Sequence, residues 1–264
     1  MEVGSRQVEH RVEPEGPEDR GPAAYVAEFI GTLLLVFFVT AVVSLYVAQP
    51  TPQNPAPFVD FGVIGLVHVL LLFVLIQTLA AISGAHFNPA VTVALAALRQ
   101  IKPPDAAIYI VAQLAGAVGG ALLTKALLLD EGDGVNYGAT LVGSRLEGDI
   151  FPGMVAEAIG TFFLMWAIVG VAVSPRATRE WAGLAIGGAL GMGVMVLGPL
   201  TGAGFNPARS FAPALVSGEW GGAGDFLVVY VLGPLVGALL AAFLYMYVML
   251  TPGKKGTEGM GPVG

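Results

Sequence analysis

The chain has no cysteine, only three histidines among 264 residues, and few charges: Asp, Glu, Lys and Arg together make 12%. Without cysteine there is no disulfide, no thiolate nucleophile and no iron–sulfur ligation. Three histidines offer little to a metal centre. The shortage of charge excludes most, because a water-soluble domain carries roughly 25% charged residues, whereas hydrophobic residues make up 55% of this chain. A water-soluble globule does not fit that balance. No nucleophile–base pair or metal-ligand cluster stands out, so an enzyme is the least supported class. Nothing in the chain calls for a cofactor, a metal or a nucleic-acid partner.

Long apolar runs fill the sequence instead, at 25–47, 61–82, 106–129, 152–173, 184–197 and 226–250. Most reach the roughly 20 residues that cross a bilayer core as helix, which predicts six spans. About twenty polar residues rich in Glu, Arg, Pro and Gly precede the first run, without the order of a signal peptide. They read as a disordered tail, 1–21. A second tail is expected at 251–264.

The formal net charge is −7, but where the basic residues fall is more telling. Arg6, Arg11, Arg20, then Arg99 and Lys102, then Arg176 and Arg179, then Lys254 and Lys255 lie on the tails and on alternate loops. The positive-inside rule places these in the cytoplasm with both termini. The opposite loops carry Arg145 among Asp130, Glu131, Asp133, Glu147, Asp149, Glu219 and Asp225. This predicts a multi-pass protein of the bilayer, in the plasma membrane.

The sequence also repeats itself. Ala27-Glu28-Phe29-Ile30-Gly31-Thr32 returns as Ala156-Glu157-Ala158-Ile159-Gly160-Thr161. Ser83-Gly84-Ala85-His86-Phe87-Asn88-Pro89-Ala90 returns as Thr201-Gly202-Ala203-Gly204-Phe205-Asn206-Pro207-Ala208, and Ala112–Ala117 is answered by Gly233–Ala238. Three motifs in one order define two repeats, 22–129 and 151–250, joined by an acidic link at 130–150. A half of three spans enters from the side opposite to its copy, so the repeats are inverted.

Asn88-Pro89 and Asn206-Pro207 each signal a helix start, with Asn as cap and Pro at the first helical position. The apolar segments that follow, ending near 98 and 216, are about nine residues long and cover roughly 14 Å as helix, half a bilayer core. Two such half-helices entering from opposite faces meet near the midplane. Their glycine-rich approaches are irregular backbone at membrane depth, tolerated only inside protein or beside a wet cavity. Arg209, three residues after Asn206, is costly in an apolar setting unless it faces water and carbonyls, which makes it a pore-lining candidate.

On these motifs the chain resembles the aquaporin (major intrinsic protein) family, from about residue 23 to 250. The resemblance implies an all-α membrane protein of six transmembrane helices plus two re-entrant half-helices in two inverted repeats, assembled as a homotetramer. It implies that water and small uncharged solutes pass each subunit, that Asn88 and Asn206 donate to water at the pore centre, and that Glu28 and Glu157 support the re-entrant loops. The same register sets a selectivity filter of His68, Val194, Ala203 and Arg209. Strict water channels carry an aromatic at position 68 and histidine at 194. The set found here is similar to some plant vacuolar members that also admit ammonia, urea or hydrogen peroxide. Glycerol facilitators place Asp after the arginine, where this chain has Ser210, although glycerol facilitation stays open. His86, just before the first Asn-Pro-Ala, is expected to pack at the cytoplasmic pore mouth. Asn136 and Tyr137 are candidates for the outer vestibule. A secondary transporter would need Glu28 or Glu157 as coupling acids, and an adhesive junction protein of this fold would show no flux.

Overall fold

Prolines and small polar caps set where the helices begin. Pro22, Pro89, Pro103 and Pro207 stand in the first turn of their helices, where a missing N–H costs nothing. Asp60 and Asp149 cap two others by accepting from Val63 N and Phe151 N at 2.9 and 3.2 Å. Gly84, Gly202 and Gly218 close three helices in the left-handed conformation that only glycine adopts freely.

A computed structural model describes residues 20–48, 58–175, 177 and 179–250. The expected tails, apart from Arg20 and Gly21, lie outside the described residues. The six expected spans are helices Pro22–Tyr46, Phe61–Ser83, Pro103–Leu127, Ile150–Val173, Arg179–Thr201 and Ala223–Met249, long and apolar enough to cross a membrane. The half-helices are Pro89–Ala97 and Pro207–Ser217. One short antiparallel pair, Val47–Ala48 with Phe58–Val59, flanks the gap between the first two spans.

The fifth span runs well beyond the apolar stretch 184–197. The helix covers Ala182–Thr201, so Gly183, Gly198 and Pro199 all lie inside it. A Cβ on Gly183 would press on Phe73, and one on Gly198 would enter the ring of Phe61. These glycines serve close packing.

Contacts respect the repeat. The first span packs on the third and the fourth on the sixth, while the second and fifth meet between the halves. The first half-helix lies against the sixth span and the second against the third. Gly116 sits where a Cβ would strike the carbonyl of Phe29, and its repeat partner Gly237 stands likewise against the carbonyl of Ala158. Missing side chains thus let the helices approach to backbone contact.

Polarity is arranged inside out. Val111 and Val196 are 67% and 69% exposed, while Glu28, Gln113 and Glu157 are fully buried. Apolar surface of that kind needs lipid or another chain around it, and the chain is a multi-pass integral membrane protein.

Candidate functional site

The two loops that precede the half-helices have matching, strained backbones. Gly84, Ala85 and Phe87 have positive φ of 87°, 53° and 48°, and Gly202, Ala203 and Phe205 have 77°, 50° and 51°. Positive φ in a non-glycine residue costs about 1–2 kcal/mol, so each loop needs outside support. Glu28 supplies it in the first half. Its Oε1 accepts from Ser83 Oγ at 2.7 Å and His86 N at 2.9 Å, and its Oε2 accepts from Phe87 N at 2.7 Å and Gln113 Nε2 at 2.8 Å. These four donors occupy about all the acceptor sites of a carboxylate.

Glu157 repeats the arrangement, accepting from Thr201 Oγ1 at 2.6 Å, Gly204 N at 2.9 Å and Phe205 N at 2.6 Å. Behind each loop a tyrosine hydroxyl donates to the carbonyl that opens it, Tyr109 to Ser83 O at 2.7 Å and Tyr230 to Thr201 O at 2.8 Å. Phe87 and Phe205 are buried in slots left by Gly31 and Gly160, where a Cβ would collide with the ring.

The two asparagines meet as the half-helix argument requires. Asn88 Nδ2 donates to Phe205 O and Asn206 Nδ2 to Phe87 O, both at 2.8 Å. Their Oδ1 atoms cap their own helices, Asn88 accepting from Ala90 N at 2.9 Å and Asn206 from Ala208 N and Arg209 N at 3.0 and 3.3 Å. Each amide therefore spends one N–H on the opposite loop and keeps one. Both asparagines line a cavity of about 520 Å³ that runs from Arg20, Gln77 and Arg179 up to His68 and Arg209. Pro89, Ala90, Pro207 and Ala208 are buried and shape the two helix starts.

A second cavity of about 250 Å³ continues from His68 and Arg209 toward the long link, past Val194, Gly202 and Asn136. His68 and Arg209 are the two described residues that line both cavities. Arg209 is 4% exposed, and its Nη1 donates to Gly138 O at 2.8 Å, while its Nε is buried without a partner among the described residues. His68 Nδ1 lies 2.8 Å from Ile64 O. A carbonyl can only accept, so Nδ1 carries hydrogen and the neutral ring keeps Nε2 as an acceptor. Arginine donors and a histidine acceptor thus stand at the boundary between the two cavities.

The remaining expected residues divide. Val194 lines the second cavity. Ala203 is 2% exposed and lines neither cavity, the neighbouring Gly202 doing so in its place. His86 lines the first cavity, with Nδ1 3.1 Å from Thr92 Oγ1 and its ring edge-on to Tyr109. Asn136 reaches the second cavity, but Tyr137 does not. It is 2% exposed, its hydroxyl donates to Leu129 O at 3.2 Å, and Lys125 Nζ lies 5.2 Å from its ring centroid.

Residue-level reading passes over Gln113, Ser83, Thr201 and the carbonyl of Gly138. Repeat equivalence between Ser83 and Thr201 marks two of them. Gln113 faces Pro234 in the repeat register and carries no such mark, and no side chain announces a carbonyl partner.

Six spans with two half-helices meeting tip to tip, beside two cavities that adjoin at His68 and Arg209, make up a channel architecture. Residues 21–245 match the major intrinsic protein family. The chain belongs to that family, whose aquaporins are channels and not enzymes. It is 41% identical to nodulin-26 of Glycine max over 226 residues, 86% of this chain and 78% of the relative. It is 39% identical to the probable aquaporin AqpM of Archaeoglobus fulgidus over 242 residues, 84% of this chain and 95% of the relative. Among solved structures, the aquaglyceroporin from Plasmodium falciparum superposes with a TM-score of 0.71 at 23% identity, covering 86% of this chain and 96% of that one, a likeness of fold.

Proposed function

We propose that the chain passes water, and with it small neutral solutes such as ammonia, hydrogen peroxide or urea, down their gradients while excluding protons and ions. One observation carries the reading: the two cavities of the conduit adjoin at His68 and Arg209, an acceptor facing a fixed cation. A cation entering there meets Arg209, and beyond it the N-termini of both half-helices, each the positive end of a helix dipole. Water needs only one acceptor and one donor to cross. At the midplane the free N–H of Asn88 and of Asn206 orients its oxygen, so that a single water cannot both accept from the pair and relay a proton onward.

Val194 and Gly202 add little bulk to the outer cavity beside Arg209, which supports a filter broader than one for water alone. Ser210 after Arg209 argues against glycerol as the main cargo. Glu28 and Glu157 each accept two backbone N–H groups of a loop, which supports a role as loop braces and not as proton carriers. The pattern of basic residues supports termini in the cytoplasm, and family resemblance supports a homotetramer with a pore in each subunit.

Stopped-flow light scattering on proteoliposomes tests the proposal. Water, ammonia and hydrogen peroxide fluxes should exceed those of empty vesicles and stay downhill, and the water and hydrogen peroxide fluxes should ignore imposed proton or sodium gradients. Water or hydrogen peroxide flux coupled to either gradient would mean a transporter.

A further inference from the structure

The far mouth of the conduit carries a second pairing of histidine with arginine. Arg20 lies just before the first span and lines the 520 Å³ cavity together with Gly84 and His86. An Nη of Arg20 and Nε2 of His86 stand 3.9 and 3.4 Å from the same point, the position a Cβ on Gly84 would take. Thr92 Oγ1 spends its hydrogen on Asn88 O at 3.0 Å, so the bond between it and His86 must be donated by Nδ1. Nε2 of the neutral ring is then left as an acceptor. His86 and Arg20 therefore present to this mouth what His68 and Arg209 present at the boundary between the cavities: one ring acceptor and one guanidinium.

Arg20 is held by its main chain, which leaves its charge free. Its N donates to Asp105 Oδ2 at 3.3 Å, and Tyr25 Oη donates between Arg20 O at 2.9 Å and Asp105 Oδ1 at 2.6 Å. Asp105 thus grips the backbone and Tyr25. Nε of Arg20 is buried with no hydrogen-bond partner among the described residues. The arrangement does not come from the repeat, since Gly204 replaces His86 in the second half and Arg20 precedes the first repeated motif.

We propose that Arg20 is a second charge-selectivity residue of this channel, placing a fixed cation at the mouth opposite Arg209. The proposal rests on the channel reading above. Arg179 lines the same mouth, so removing Arg20 leaves a reduced barrier there.

The test is a charge series at position 20 in the Arg209→Val background, with proton and potassium leaks read by dye quenching in proteoliposomes and water flux read in the same vesicles. Arg20→Lys should leak like its parent, Arg20→Gln roughly threefold more and Arg20→Glu more again, as for one unit charge at a partly aqueous mouth. The differences should shrink in about 1 M salt, where the Debye length is near 3 Å, a response that a packing defect would not give. Tyr25→Phe, which releases the clamp and keeps the charge, should fall between the Lys and Gln variants. Leaks that are equal across the series while water flux persists would overturn the role of Arg20 alone. A wild type without water flux would overturn the channel reading with it.

Discussion

Asn88 and Phe205, 117 residues apart, are joined by a 2.8 Å hydrogen bond from the asparagine amide to the main-chain carbonyl, and Asn206 returns the same bond to Phe87. The pair locks two irregular loops together at the centre of the bundle. Asn88→Asp keeps shape and the helix cap but turns a donor into an acceptor facing that carbonyl. It should cost about 2–4 kcal/mol, read as a lower melting temperature in detergent, and should admit cations by placing an acid at the midplane. An unchanged melt would mean that the cross-loop bond does not hold the loops.

Gly160 and Gly188 predict opposite outcomes for one substitution. A Cβ on Gly160 would meet the fully buried ring of Phe205, whereas one on Gly188 meets nothing within 4 Å. Gly160→Ala should destabilise by about 1–3 kcal/mol and slow water by moving the loop. Gly188→Ala should stabilise by about 0.5–1 kcal/mol through helix propensity. Thermal melts of both variants check the pair, and equal shifts would refute the slot.

These outcomes also mark what the sequence makes legible. Repetition is visible in letters, so the spans, the half-helices, the two asparagines and the paired glutamates can be read directly. The length of the fifth span is less visible: the apolar run 184–197 stops short of Gly183 and Gly198, which lie inside the helix and admit Phe73 and Phe61. Tyr137 reads as a vestibule residue from its place in a polar loop, yet its ring is buried beneath Lys125. Arg20 reads as one more basic residue of a tail. Its position over Gly84 depends on where Asp105 and Tyr25 come together, 80 residues apart in sequence.

Breadth of selectivity turns on Val194. Val194→His would add a polar ring beside Arg209 and narrow the passage from the outer cavity. Ammonia and hydrogen peroxide flux, relative to water, should fall severalfold while water continues. A ratio that stays the same would place the selecting contact elsewhere.

The central claim, that water crosses between His68 and Arg209, is tested most directly by plugging that path in a protein already shown to conduct. Wild type has no cysteine, so a mercurial should leave its water flux unchanged. Val194 lines the outer cavity where Ala203 does not, which makes Val194→Cys the informative variant. In stopped-flow light scattering, Val194→Cys vesicles should conduct water until the mercurial is added, lose most of that flux, and recover it with excess thiol. A Val194→Cys protein that reacts with the mercurial and still conducts at its full rate would contradict the pathway.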